Sequence, residues 1–142
     1  MTSIDFYFNA SDRVQVACRL AGKASAQGQR LLIYAPDAEV AARLDRTLWT
    51  WPAIGFVPHC MVDHPLAPDT PVLIARDEQT PGQFAALLNL SGESPPHFAR
   101  FDRLLEIVGT DESEREAARK RYRGYQSHGY AIANHDLGRN DE

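Results

Sequence analysis

Apolar positions in the first half of the chain switch between two periods. Residues 3–9 alternate, with Ile4, Phe6 and Phe8 on one side, which predicts a strand. Val14, Ala17, Leu20, Ala21 and Ala24 then recur at helical spacing as far as about Gln27. Asn9, Ser11 or Asp12 is available to cap that helix, and Gly28 to end it. Residues 30–35 (RLLIYA) form a short apolar run after a helix and read as a buried parallel strand. Pro36 and Asp37 turn the chain, and Asp37 caps a second helix from Ala38 to about Thr50. The inner face of this helix is Val40, Ala41, Leu44 and Leu48. This β-α-β-α alternation predicts an α/β domain with a mostly parallel sheet.

The second half is less regular. Residues 49–64 (WTWPAIGFVPHCMVDH) read as an irregular apolar connection that either packs on the domain or meets a partner. Residues 71–75 (PVLIA) predict a third strand, Leu87, Leu88 and Leu90 a fourth, and residues 103–108 (RLLEIV) a fifth. Pro95 and Pro96 separate the last two. Residues 112–128 (ESEREAARKRYRGYQSH) are rich in strong helix formers, with Asp111 or Ser113 as N-cap and Gly129 as a stop. The domain spans 1–142, and its polar tail from Asn134, about the last eight residues, is expected to fray.

Charge changes the picture at that last helix. The chain has 15 Lys+Arg against 19 Asp+Glu, yet Arg115, Arg119, Lys120, Arg121 and Arg123 fall within nine residues. A basic cluster on an acidic protein points to a local site for an anionic partner. At about 100° per residue, Arg115, Arg119, Tyr122 and Gln126 share one stripe with Arg123 beside it, while Ala118, Arg121 and Tyr125 lie elsewhere. The plainer reading is a solvated helix laced with Glu–Arg pairs. The net charge of −4 argues against general nucleic-acid or membrane-surface binding. No apolar run is long enough to span a membrane, and no signal peptide is visible. Two cysteines, Cys18 and Cys60, make no disulfide framework, which suggests a reducing, cytoplasmic setting.

Other chemistry is sparse. The first strand–helix turn, Asn9 to Arg13, has no glycine, and neither a dinucleotide-binding nor a phosphate-loop motif occurs, so no nucleotide cofactor is expected. His59, Cys60, Asp63 and His64 include metal-ligand types, but no second pair follows at finger-like spacing, so no metal is expected. A cysteine nucleophile needs an orienting His and acid; Cys60 has such neighbours, but residues adjacent in sequence rarely point together, and no catalytic signature is present. Trp49 and Phe56 are either core aromatics or anchors of an interface.

These segments, in this order, resemble the chi subunit of bacterial DNA polymerase III: FYF near the N-terminus, RLLIYAPDAEVAARLDRTLW, FVPH, and RKRYRGY near the C-terminus. The most specific are Arg43, Leu44, Asp45, Leu48 and Trp49, then Phe56-Val57-Pro58-His59, then residues 119–125. The resemblance covers nearly the whole chain. It implies a three-layer α/β/α domain around a parallel core of roughly five strands, similar to nucleotide-binding folds but without their site. It implies a non-catalytic clamp-loader accessory subunit that joins the psi subunit to the acidic C-terminal tail of single-stranded DNA-binding protein. The tail site would fall on Arg115, Arg119, Tyr122 and Arg123, with Val108 beside an apolar pocket. Gln126 stands where well-known members carry a basic residue. The psi contact would fall on Trp49 and Phe56, a surface for which a helicase-like repair protein competes in some members. Single-stranded DNA would be met mainly through its binding protein. The alternatives are a direct single-stranded DNA-binding module using the basic helix, or a novel enzyme with its site in the His59–His64 loop.

Overall fold

A computed structural model describes residues 2–50, 57–78 and 82–138. Seven strands form one sheet. They are β1 (Ser3–Ala10), β2 (Leu31–Tyr34), β3 (His59–Met61), β4 (Val72–Ala75), β5 (Ala86–Asn89), β6 (Arg103–Gly109) and β7 (Ile132–Asp136). Three helices connect them: α1 (Arg13–Ala26), α2 (Ala38–Thr50) and α3 (Glu112–Ser127). The strand order is β3-β4-β2-β5-β6-β1-β7, and every neighbouring pair runs parallel.

The central strands are short and apolar because both of their faces are covered. Leu31 and Ile33 of β2 join Val72 and Ile74 of β4 under α1 and α2, against Val14, Ala17, Ala21, Ala41, Leu44 and Leu48. Leu32, Leu73, Leu87 and Leu104 point the other way, into a second core with Ile4, Phe6, Ala118 and Tyr125. So α1 and α2 cover one face and α3 the other, in the expected three-layer α/β/α arrangement. The helix caps follow the sequence. The Asp12 carboxylate accepts from the Val14 and Gln15 amides at 3.0 and 3.3 Å, and the Asp37 carboxylate from the Glu39 and Val40 amides at 2.8 and 3.2 Å. Cys18 is buried against α2, and burial pushes its thiol up to about 12.

Two features correct the five-strand expectation. Within the 49–64 connection, His59, Cys60 and Met61 pair with Val72, Leu73 and Ile74 as an edge strand. Secondly, Asn134, His135 and Asp136 do not fray but pair in parallel with Phe6, Tyr7 and Phe8. Their side chains dock as well: the His135 ring stacks on Tyr7 at 4.5 Å, and Asn9 donates to the Asp136 carboxylate at 2.8 Å. Backbone pairing to an otherwise bare edge therefore orders a segment that has no hydrophobic pattern.

The end of β1 is irregular in a way that shapes the site. Tyr7 pairs with Ile107 but Ala10 with Gly109, so β1 carries one extra residue. Asn9 takes up that residue at φ 64°, a left-handed conformation that asparagine tolerates better than most side chains. The bulge reverses the alternation, and Ala10 ends up facing the α1–α2 core while Phe6 and Phe8 face α3.

Candidate functional site

α3 begins at Asp111, whose carboxylate caps it by accepting from the Glu114 amide at 3.4 Å and from the Ser113 hydroxyl. The Ser113 hydrogen bond and the helix amides hold the Asp111 carboxyl below the usual range. Glu112 and Glu114 sit at the positive end of the helix, and the cations follow.

A polar network under α3 fixes its seat. Glu106, in the middle of β6, is fully buried. Its carboxylate accepts from Tyr125 Oη at 2.6 Å and from Asn89 Nδ2 at 3.0 Å, and lies 3.3 Å from the Arg121 guanidinium. Arg121 is only 9% exposed and also donates to the Gly92 carbonyl at 2.9 Å. Burial pushes the Glu106 carboxyl up despite the opposing pull of Arg121. Burial and the adjoining carboxylate likewise raise the Tyr125 phenol. Arg121 therefore belongs to the foundation of the helix and not to its binding face. An acid inside the apolar run RLLEIV was the sequence signal for a buried cationic partner, since an unpaired buried carboxylate is too costly to keep.

Beside this seat, a surface groove of about 250 Å³ runs between α3 and the β6–β1–β7 side of the sheet. Phe6, Phe8, Val108 and Ala118 give it an apolar floor, and Arg115 and Arg119 stand on its rim. Tyr122 forms a wall, with its ring 5.1 Å from that of Phe6 and its hydroxyl accepting from Asn134 Nδ2 at 3.0 Å. Arg119 lies 3.3 Å from the exposed Glu112, whereas Arg115 makes no salt bridge among the described residues. An apolar floor beneath two accessible guanidinium groups suits a ligand with a ring or alkyl group next to carboxylates.

The structure thus brings Val108, Arg115, Arg119 and Tyr122 into one groove. Arg123 is exposed on the ridge beside it, and Gln126 is exposed one turn beyond; neither lines it. Phe6, Phe8 and Asn134 were missed from sequence because strand pairing, not helical spacing, brings them there.

Trp49, at the end of α2, is 58% exposed and is therefore not a core residue. Its ring lies 5.1 Å from that of His59 on β3. Phe56 lies outside the described residues. Because β3 is one edge of the sheet and β1 is five strand spacings away, Trp49 is about 24 Å across the sheet from the groove.

The remaining candidates have other duties. His59 is buried, with Nδ1 2.6 Å from the Val57 carbonyl and Nε2 3.1 Å from Asp45. The His64 ring accepts the Leu66 amide at 3.0 Å. No cluster of three or more potential metal ligands occurs among the described residues.

In doubly wound sheets, ligands bind where adjacent strands send their helices to opposite faces. Here that point lies between β1, which leads to α1, and β6, which leads to α3. The cleft is crossed by ion pairs of Arg13 with Glu114, at 3.3 Å, and of Arg43 with Asp12. The amides that begin α1 are already engaged by Asp12, and those of α3 by Asp111. An added Cβ at Gly109 would come within 2.0 Å of the Glu114 carboxylate. The chain's own carboxylates thus stand where a phosphate would be held.

Among solved structures, a chain of the complex of the Dbp5 C-terminal domain with Gle1 from Saccharomyces cerevisiae has a similar fold, with a TM-score of 0.56 and 11% identity, covering 94% of this chain and 90% of that one. Closer likeness is found in sequence. DNA polymerase III subunit chi of Pseudomonas aeruginosa is 34% identical over 98% of this chain and 99% of that protein. Its counterpart from Escherichia coli is 30% identical over 83% of this chain and 81% of its own length. The family profile described as DNA polymerase III chi subunit, HolC, matches residues 1–133. The chain belongs to the DNA polymerase III chi subunit family.

Proposed function

We propose that this chi subunit is a non-catalytic, cytoplasmic adaptor that joins the psi subunit of the clamp loader to the acidic C-terminal tail of single-stranded DNA-binding protein. The observation that carries the reading is the groove of Val108, Arg115, Arg119 and Tyr122, with apolar floor and cationic rim. A tail that ends in an aromatic residue and a free carboxylate among acidic side chains offers matching chemistry. The ring sits on the floor and the carboxylates meet the arginines. Arg123, on the adjoining ridge, reaches acidic residues farther from the tip, and Gln126 supplies a neutral hydrogen bond at the end of the stripe. Since the rim is exposed, binding is modest and weakens with salt.

The psi subunit docks at the other edge, where Trp49 supplies a large aromatic anchor, and Phe56, outside the described residues, is assigned to the same contact. A helicase-like repair protein that uses the same anchor would compete with psi and not with the tail.

The test is a titration of the purified protein with an acidic peptide ending in an aromatic residue, repeated for Trp49→Ala, alongside capture of psi. The peptide should bind both forms equally, while psi should bind only the parent. A peptide that fails to bind at low salt would remove the tail-binding half of the reading.

A further inference from the structure

α3 has a second groove on its opposite flank. It is about 470 Å³ in volume and mostly apolar, and it lies between α3 and the turn Phe98–Arg100. At 100° per residue, Lys120, Gly124 and His128 sit roughly 170° around the helix from Arg115, Arg119 and Tyr122. Three rings wall the groove. Phe98 is 5.1 Å from Tyr125 and 5.3 Å from Tyr130, in each case edge to face. Tyr125 is buried, but Phe98 and Tyr130 are half-exposed.

Two further observations point to a ligand here. From Ala117 to His135 the chain contains no acid, on a protein of net charge −4, so beyond Glu116 the charged residues of α3 are all cations, of which Arg121 is paired with Glu106 and Lys120 is exposed. Lys120 on the rim makes no ion pair among the described residues. Secondly, Gly124 lies inside the helix with nothing within 4 Å of a Cβ built on it. Its φ is ordinary, so neither backbone nor packing calls for glycine there, and glycine costs a helix stability relative to alanine. Gly124 lines this groove, and a larger side chain there would occupy part of it.

We propose that this flank of α3 binds single-stranded nucleic acid, with bases against Phe98 and Tyr130 and phosphates against Lys120 and, on the ridge, Arg123. Rings beside an exposed lysine and an exposed arginine are what a strand of alternating bases and phosphates requires. An extended peptide is served less well, because neither wall of the groove offers an unpaired strand edge for its backbone. The two flanks would then divide the anions between them, carboxylates on one and phosphates on the other. Binding of DNA here does not depend on the tail reading, which concerns the other groove.

The test uses fluorescence anisotropy of a labelled oligothymidylate of about 15 nucleotides at low salt, with an abasic chain of equal length as control. Lys120→Glu should weaken oligothymidylate binding roughly fivefold or more and flatten its salt dependence by about 0.7 in log–log slope. Gly124→Leu should also weaken it while leaving the melting temperature equal or higher, which separates a filled groove from a damaged fold. Acidic-peptide binding should be unchanged in both. The proposal is overturned if oligothymidylate fails to saturate, or if the abasic chain binds as well. It is equally overturned if Arg119→Ala, and not Lys120→Glu, abolishes binding, or if Lys120→Glu and Gly124→Leu weaken the acidic peptide instead.

Discussion

Arg119 has a competitor for its guanidinium, and that competition gives the proposed tail-binding site a two-sided test. The Glu112 carboxylate lies 3.3 Å from Arg119, with the two side chains 71% and 51% exposed. An incoming carboxylate must displace Glu112 or share the guanidinium with it. Arg119→Ala removes a charge-assisted contact of about 1–3 kcal/mol, equivalent to about 5- to 150-fold in peptide affinity. Glu112→Gln acts in the opposite direction. An exposed ion pair is worth about 0.2–1 kcal/mol, so releasing Arg119 from it should tighten peptide binding by about 1.4- to 5-fold. The gain should vanish in the Arg119→Ala background, because Glu112 acts through Arg119. Isothermal titration of the four proteins at low and moderate salt closes the double-mutant cycle. Neither change should move the urea midpoint much, since both side chains are largely solvated. If Glu112→Gln weakens binding, or tightens it equally without Arg119, the guanidinium is not what the peptide reaches.

Glu106→Leu should cost about 3–5 kcal/mol of stability by stranding Arg121 in the interior, with much of it recovered in Glu106→Leu/Arg121→Met, as read from urea midpoints. His97 is 3% exposed between Tyr34 and Phe101, and burial holds its pKa below the ordinary 6.5. The unfolded chain therefore takes up a proton first, so this stability is complete above pH 6.5 and declines as pH falls below it. His97→Leu should flatten the dependence of melting temperature on pH between 5 and 7, and an unaltered slope would exclude His97 as its source. ATP at about 1 mM should produce no saturable thermal shift, because Asp12, Asp111 and Glu114 already occupy the helix starts at the switch point. A saturable shift would show that those ion pairs open.

The helices were legible because a candidate cap coincided with apolar spacing at α1 and α2 and with strong helix formers at α3. Asp12, Asp37 and Asp111 all cap where their positions suggested. The four central strands were legible because burial on both faces leaves an apolar run. β3 and β7 were not, since they are edges whose order comes from backbone pairing with β4 and β1. The site divided in the same way. The stripe of Arg115, Arg119, Tyr122 and Gln126 depends on helix geometry alone, and its first three members line the groove while Gln126 lies beyond it. The floor depends on which residues of β1 face α3, and the bulge at Asn9 governs that alternation where the strand ends. Arg121 counted as one cation among five until Glu106 was seen beneath it.

That burial of Arg121 bears on how one short helix could serve separate partners. A solvated helix of this composition would be marginal alone, with its cations repelling one another through the second half. Here Ala118 and Tyr125 bury one face, and the Glu106 carboxylate neutralises the innermost cation from below. The remaining cations are thereby raised on a rigid ridge, Arg115 and Arg119 over one groove and Lys120 over the other. The Trp49 surface lies at the far edge of the same sheet, joined to α3 by β4, β2 and β5, which are buried except at Tyr34. Cores of this kind deform little, so a ligand on α3 has no ready means of altering the Trp49 surface. Occupancy at the two edges should therefore be independent. Saturating acidic peptide should change the affinity for psi by less than about twofold, within the additivity expected of distant sites. A larger coupling would require a second arrangement of the α3 seat, and Glu106→Leu/Arg121→Met is the variant in which such a coupling should change.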